Sequence, residues 1–277
     1  MEERSDFAEQ VASAVIRGVN RLNKVRDSLY LDTCAWSNLA KGLYKVAPVK
    51  QWCRENSAYI WLSRFQLAEL SADTRLARPL GLLLQQLNAV MVDREVNEFS
   101  GEPWYKVKEG LVMPLNLKSD TAIDAFEDMM ISGPIRGANY QLKSDGEAFR
   151  QLIEDMLARV PSDQKRSWAD FPDALRRWIE NRCASMGKDV HPDGLTDPDR
   201  YVGLKLSFGV VFHRYYLSGK IWKTSDYVDY LHCSDMAYAR TVVTEAGLAE
   251  SIRQVTRRIP GIGPEVAHNL KWLMTPL

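Results

Sequence analysis

The stretch SLYLDTCAWSNLAKG, residues 28–42, decides the fold that the sequence predicts. Ser28–Leu31 is a short apolar run typical of a buried strand, and the next residues, Thr33–Gly42, have the pattern of a helix. Asp32 stands between the two. An aspartate here is a common helix N-cap. It also lies at the carboxyl end of its strand, and ligands of open parallel α/β sheets bind at that edge.

The same alternation of strand and helix continues after this stretch. Residues 58–63 and 89–92 are apolar and β-branched or aromatic, which predicts two more strands. Helical patterns cover 64–71 and 76–88 between them. Strands that alternate with helices form parallel sheets, so the first part of the chain predicts an α/β unit.

The rest of the chain divides into a helical middle and a return to α/β structure. We expect a single domain over 1–277, with the following parts: an N-terminal helix 6–25, a large all-helical insertion at about 116–218 (helices 119–132, 145–160, 168–186 and 198–218), a helix Asp226–Tyr238, a strand Arg240–Thr244, and a tail 246–277 with a helix 249–258 and a final helix or strand.

Composition excludes several classes of protein. The 277 residues contain 36 Lys plus Arg and 36 Asp plus Glu, and this balance argues against binding nucleic acid by bulk charge. No run approaches the roughly 18 apolar residues of a membrane span, so we expect no membrane contact. The four cysteines are scattered without a CxxC pair, which predicts reduced thiols and a cytoplasmic protein.

Acidic residues placed near strand ends are the main chemical signal. Motifs for a phosphate loop, an HExxH zinc site and a GxSxG nucleophile are all missing from the sequence. The acids that a parallel sheet would bring together are Asp32, Glu69, Asp226, Asp229 and Glu245. Oxygen-rich clusters of this kind suit Mg²⁺ or Mn²⁺. Each acid taken alone is a solvated surface charge more often than a ligand, so the prediction depends on the joint pattern.

Three segments resemble PIN-domain nucleases: LYLDTCAWSNLAKG (29–42), IWLSRFQLAEL (60–70) and SDYVDYLHCSDMAYARTVVTEA (225–246). The last is similar to one PIN-like branch, whose order of residues is matched here by Asp226, Asp229, His232, Tyr238, Thr244 and Glu245. The sequence departs from that branch at Arg240, where an acid is often found, and at Glu245, whose longer side chain would shift the last ligand outward.

The resemblance implies a three-layer PIN-like fold and a divalent-metal-dependent nuclease acting on RNA or other single-stranded nucleic acid. It implies Asp32, Glu69, Asp226 and Asp229 as metal ligands, and Glu245 as a further catalytic acid that binds a second ion or orients water. Candidate substrate contacts are Thr33, Asn38, His232 and Thr244, together with Arg240, which is a candidate because it is close to the motifs in sequence. Proteins of this kind act as toxins, RNA-processing enzymes or defence effectors, so an inhibitor or sensor protein is an expected partner.

Three alternatives stay open at this point. The first is a catalytically inactive PIN-like scaffold that binds nucleic acid or a protein partner. The second is a mostly helical interaction protein, in which Asp32, Asp226 and Asp229 would lie apart. The third concerns the substrate: RRIPGIGPEVAHNL (257–270) is similar to part of a helix-hairpin-helix motif, which would favour DNA, but a simple Pro-Gly turn before a last packing element is the favoured interpretation.

Overall fold

The structure is a computed structural model that describes residues 28–92, 101, 112–115, 117–132, 134–158, 166–259 and 261–274. The helix predicted over 6–25 lies outside these residues. Within them, no helix is long and apolar enough to cross a membrane.

A mixed α/β architecture is formed by six strands and the helices between them. The strands are β1 (Ser28–Leu31), β2 (Tyr59–Ser63), β3 (Ala89–Val92), β4 (Val112–Pro114), β5 (Thr241–Thr244) and β6 (Val266–Asn269). The α-helices are α1 (Thr33–Ala40), α2 (Val46–Glu55), α3 (Arg64–Leu70), α4 (Ala77–Gln86), α5 (Asp120–Ser132), α6 (Pro134–Ala158), α7 (Phe171–Ser185), α8 (Val202–Val211), α9 (Asp226–Met236) and α10 (Ala246–Arg258). Shorter 3₁₀ turns cover Thr74–Leu76, Trp168–Asp170 and Leu270–Met274, and a π-helix covers Phe212–Leu217.

One sheet contains all six strands in the order β4-β3-β2-β1-β5-β6. Five strands are parallel, and only β4 runs antiparallel, beside β3 at one edge. The chain builds outward from β1 to β3 on one side and later from β5 to β6 on the other. The gap between the carboxyl ends of β1 and β5 is therefore the topological switch point, where open α/β sheets bind their ligands.

Strand β1 is buried on both faces, which gives the sheet a layer of helices on each side. Tyr30 faces one core, which includes residues of α8, α9 and α10, whereas Leu29 and Leu31 face the other, which includes α1, α2 and α4. Period-two alternation along a strand explains this division. The prediction of an α/β protein with a central parallel sheet is confirmed.

Between β4 and β5 the described helices and turns follow the predicted helical middle. A third core, rich in aromatic rings, joins α6, α7, α8, the π-helix and α9. Helix α8 is buried at every position, because Leu206 and Val210 face the sheet while Leu204 and Phe208 face this third core. The helical middle therefore packs directly on the sheet through α8.

Several boundaries differ from the prediction for identifiable reasons. The helix predicted at 145–160 begins at Pro134, a residue suited to the first position of a helix. The helix predicted at 198–218 begins only at Val202, because Tyr201 has a left-handed backbone with φ of 52°, and it changes to π geometry at Phe212. Helix α2 was not predicted, since Pro48 reads as a helix breaker although it lies in the first turn.

The tail forms a strand where a helix-hairpin-helix motif would need its second helix. Gly261 and Gly263 have positive φ values of 85° and 77°, and they turn the chain after α10. Residues 266–269 then pair in parallel with β5 as β6. The DNA-binding interpretation of this segment is therefore wrong, and the glycines serve a turn between α10 and an edge strand.

Candidate functional site

Asp32 lies at the carboxyl end of the central strand, where both of its carboxylate oxygens are held. It caps α1, since Oδ1 accepts the Thr33 backbone N–H at 2.6 Å. Oδ2 accepts the Thr244 hydroxyl at 2.6 Å, from the end of the neighbouring strand β5. Asp32 is only 5 % exposed. Two strand ends thus fix one buried carboxylate at the switch point.

Glu69 reaches the same edge from α3, which follows β2. Ser63 and Gln66 form a capping box that starts this helix at the end of the strand. The Gln66 side chain also donates to the carbonyl of Leu31, so it ties α3 to β1. These two bonds set the direction of α3 and thereby the position of Glu69.

His232 connects the acids of the site from α9. Its Nε2 lies 3.2 Å from Glu69 Oε2 and 3.2 Å from Thr33 Oγ1, and its Nδ1 lies 2.7 Å from the Tyr30 hydroxyl. The ring is 1 % exposed. His232 is thus a buried positioning residue that orients Glu69, and substrate has no access to it in this arrangement.

The charge on His232 follows from its neighbours. Burial works to lower the pKa of the imidazole, but the hydrogen bond and charge of Glu69, with the charge of Asp32, raise it to about 8. Burial also works to raise the pKa of Glu69, and His232 outweighs it, so that pKa is lowered. Near neutral pH the pair is therefore an imidazolium and a carboxylate, and both ring nitrogens donate.

Asp32 is the acid whose ionisation costs most. Burial raises its pKa to about 6, against the lowering effect of His232 and of the Thr244 hydroxyl. The charges of Asp229 and Glu69 raise this pKa further. A cation at this edge would relieve that repulsion.

Glu245 extends the acidic edge on the far side of Asp32. It follows β5 directly, caps α10 by position, and is exposed. Its Oε1 accepts the Cys34 thiol at 3.5 Å. Burial raises the pKa of Cys34 to about 12, so this group is a neutral thiol and not a thiolate ligand.

Asp226 and Asp229 lie on one side of α9, as predicted, but each is bound to a basic side chain. Asp229 Oδ2 accepts from Arg214 Nη1 at 2.8 Å. Asp226 Oδ1 accepts from Lys220 Nζ at 3.0 Å, and its Oδ2 accepts the Lys223 backbone N–H at 2.8 Å. Hydrogen bonds to Lys220 and to the Lys223 backbone tie Asp226 to the loop before α9.

Two predicted substrate contacts lie away from this edge. Arg240 precedes β5, at the amino-terminal edge of the sheet, and donates to Glu265 at 2.8 Å. Four strand residues separate it from the site, which is roughly 13 Å at 3.3 Å per residue. Asn38 lies on the second turn of α1, where its carbonyl accepts the Leu43 and Tyr44 N–H groups. The structure therefore does not bring Arg240 to Asp32.

An open pocket of about 350 Å³ begins at the site. Thr33 and Glu69 form part of its wall, and Ser37, Lys41, Asp73 and Arg75 form much of the rest. Arg75 is engaged with Asp73 at 2.7 Å. The pocket is thus polar, and Lys41 and Ser37 line it beside the acids.

The donor chemistry of Asp32, Glu69 and Glu245 fits a hard divalent cation, because all three supply carboxylate oxygens. With the side chains placed as they are, the described part of the chain contains no group of three or more His, Cys, Asp or Glu that could hold a metal. Glu69 is partly exposed and bound to His232, and Glu245 is exposed and bound to Cys34.

Comparison of the chain with protein-family profiles, with curated proteins and with solved structures finds no match. The function therefore has to be argued from the site itself.

Sequence reasoning missed three residues that build this site: Tyr30, Gln66 and Arg214. The capping box Ser63-x-x-Gln66 is visible in the sequence and could have marked Gln66 as the start of α3. Tyr30 reads only as a strand residue, and Arg214 lies in a helical pattern with no local signal. Their roles depend on contacts across more than a dozen residues of sequence.

Proposed function

We propose that this protein is a divalent-metal-dependent nuclease of the PIN-like kind that hydrolyses phosphodiester bonds in RNA. The observation that supports it best is the position of three acids at the carboxyl ends of neighbouring strands: Asp32 follows β1, Glu245 follows β5, and Glu69, on the helix after β2, lines an open polar pocket. Open α/β sheets bind their ligands at this place.

The residues divide into those that hold an ion and those that position them. Asp32, Glu69 and Glu245 would hold Mg²⁺ or Mn²⁺. The chemistry that such an ion supplies when bound is activation of water at neutral pH and neutralisation of charge on the phosphate. Thr244 orients Asp32, and His232 orients Glu69. Lys41 and Ser37 would contact the sugar-phosphate backbone in the pocket.

The test is cleavage of an end-labelled single-stranded RNA by the purified full chain with Mn²⁺. We expect cleavage that excess EDTA stops and that added Mn²⁺ restores. Parallel reactions with single-stranded DNA of the same sequence and with duplex RNA identify the substrate class. The absence of cleavage of every substrate at several Mn²⁺ concentrations would refute the proposal.

His232 gives a sharper prediction, because it touches Glu69 without reaching substrate. Replacing it with glutamine removes the positive charge but leaves a side-chain amide. We expect kcat to fall about 10- to 100-fold, as for other groups that orient a metal ligand, with KM for RNA changed less than about threefold. The Mn²⁺ dissociation constant, measured by calorimetry, should rise as well.

The matched control is His268→Gln, since His268 lies on the edge strand β6 and stacks on Trp272 at 5.3 Å. It should leave kcat and Mn²⁺ binding unchanged. If His232→Gln lowers the melting temperature but leaves kcat and Mn²⁺ affinity intact, His232 is only a core residue.

One observation favours a second function, a non-catalytic scaffold of the same fold that binds nucleic acid or a protein. Both oxygens of Asp32 already accept hydrogen bonds, and its burial opposes ionisation. Calorimetry with Mn²⁺ separates the two functions, because the scaffold predicts no ion bound at up to millimolar concentration.

A further inference from the structure

A second cavity, of about 580 Å³, lies at the amino-terminal edge of the sheet. Its wall includes Arg240, which precedes β5, and Glu265, which precedes β6. Strands β1, β5 and β6 are parallel, so this edge is opposite to the one that carries Asp32 after β1. The cavity is therefore separate from the acidic site. Its volume lies within the range of roughly 300–1,000 Å³ that is usual for small-molecule pockets.

The inner wall of this cavity is apolar and is supported by the core. Ala237, Ala239 and Ile262 line the cavity, and all three are buried. They belong to the core that includes Tyr30 of the central strand and residues of α8, α9 and α10. Small side chains on a packed core leave a fixed apolar surface, which suits the face of an aromatic ring.

The charged residues of the wall are mostly basic. Arg257, in the last turn of α10, is exposed and forms no salt bridge within the described residues. Arg240 donates to Glu265 at 2.8 Å, and both side chains are exposed. A surface pair of this kind contributes little to stability, so the phosphate of a ligand can take the place of the Glu265 carboxylate. Two arginines against one glutamate favour an anionic ligand.

The turn between α10 and β6 adds backbone donors to the same wall. Gly261, Ile262 and Gly263 all line the cavity, and their N–H groups donate no hydrogen bond within the described residues. Successive N–H groups in a turn are a common place for an anion to bind. The wall thus offers guanidinium and backbone donors beside an apolar surface.

We propose that this cavity binds a nucleoside monophosphate, either free or at the end of an RNA chain. Arg257 and Arg240 bind the phosphate, because guanidinium groups match the oxygens of a phosphate, and the apolar wall contacts the base. Arg240 exchanges Glu265 for the phosphate when the ligand binds. The inference goes beyond the proposed nuclease function and does not depend on it, since Asp32, Glu69 and Glu245 are not part of this wall.

Calorimetric titration of the full chain in EDTA, with AMP as the probe, tests this inference. We expect one AMP per chain, and adenosine and inorganic phosphate should each bind at least about tenfold more weakly, because each lacks half of the contacts. A 5′-phosphorylated RNA trinucleotide is the second probe. If AMP binds more tightly than the trinucleotide, the ligand is a free nucleotide, and the reverse order assigns the site to an RNA end.

Three variants connect the binding to this wall. Arg257→Gln should raise the AMP dissociation constant about tenfold, because it removes a charge-assisted hydrogen bond. Glu265→Gln should lower it about threefold, because the phosphate no longer competes with a carboxylate for Arg240. Arg258→Gln is the matched control, since Arg258 is exposed, is the next residue of α10 and lies outside the wall. It should bind AMP as the wild-type protein does.

A structural role for Arg257 predicts a different result. A basic residue in the last turn of a helix complements the helix dipole, so Arg257→Gln would then lower the melting temperature and leave AMP binding unchanged. Absence of binding of both AMP and the trinucleotide at millimolar concentration would overturn the inference. Phosphate binding as tight as that of AMP, equal dissociation constants for Arg257→Gln and Arg258→Gln, or weaker binding by Glu265→Gln would also overturn it. The RNA cleavage assay tests the proposed nuclease separately.

Discussion

Replacing Asp32 with asparagine is expected to reduce RNA cleavage about 10³-fold while making the metal-free protein more stable. The loss follows from the position of Asp32 as the buried carboxylate shared by two strand ends, where charge must be stabilised in the transition state. The gain in stability follows from the buried surroundings of Asp32. Asparagine still caps α1 and still bonds to Thr244, but it has no charge to bury.

The gain in stability of the metal-free Asp32→Asn variant over wild type should depend on pH in one direction. Burial raises the pKa of Asp32 from 3.8 to about 6 in the folded protein. A group whose folded pKa is raised contributes stability below its unfolded pKa and loses it as the pH rises through the folded pKa. The difference in unfolding free energy between Asp32→Asn and wild type should therefore be small below pH 4, grow up to about pH 6, and level off above it at about 3 kcal/mol.

Saturating Mn²⁺ should reverse the order of stability, since only the wild-type protein binds the ion and binding to the folded state raises stability. Asp128→Asn, at an exposed acid of α5, is the matched control and should change neither stability nor cleavage. Equal cleavage by repurified wild type and Asp32→Asn would show that the activity belongs to a contaminant. A loss of stability in Asp32→Asn at pH 8 without metal would contradict the electrostatic account.

The largest effect on stability is expected at Phe208, in the aromatic core of the helical middle. Its side chain is fully buried, and it stacks on Trp178 at 5.2 Å and on Phe171 at 5.8 Å between ring centroids. Phe208→Ala should cost about 3–5 kcal/mol of unfolding free energy, because it leaves a cavity among rings that are held by three elements. Chemical denaturation followed by tryptophan fluorescence and by circular dichroism measures the change.

The same variant tests whether the helical middle and the sheet unfold together. Helix α8 faces the sheet on one side and the aromatic core on the other, so we expect one cooperative transition by both probes. Leu152→Ala, at a 44 % exposed position of α6, should change the unfolding free energy by less than about 0.5 kcal/mol. Two transitions, of which Phe208→Ala shifts only one, would mean that the helical middle is an independent unit.

The parts of the fold that the sequence predicts are those in which local pattern and tertiary role agree. Strands β1, β2, β3 and β5 are apolar runs buried on both faces, and their prediction is confirmed within a residue at each end. The sequence does not predict β4, and for the segment of β6 it leaves a helix and a strand as alternatives. Both are short edge strands, and the exposed Val266 shows why β6 has no continuous apolar run.

In the candidate site as well, chain order predicts some residues, and contacts between distant parts of the chain determine the others. Asp32, Glu69 and Glu245 follow strands directly or by one helix, so chain order alone places them at one edge of a parallel sheet. The ion pairs of Asp226 and Asp229 could not be predicted, because Arg214 reaches them through a π-helix that the residue pattern does not distinguish from an α-helix. That these two acids bind metal stays a prediction.

The bond between Thr244 and Asp32 spans 212 residues of sequence, and the bond between His232 and Tyr30 spans 202. Contacts of this separation form late in folding, because a long loop must close before they contribute. At a synthesis rate of roughly 5–20 residues per second, the interval between Asp32 and Thr244 is roughly 10–40 s. A nascent or interrupted chain that ends before β5 leaves Asp32 without the strand that completes its surroundings. The RNA cleavage that we propose would therefore be absent until β5 has been synthesised, while the chain is still next to its message and the ribosomal RNA.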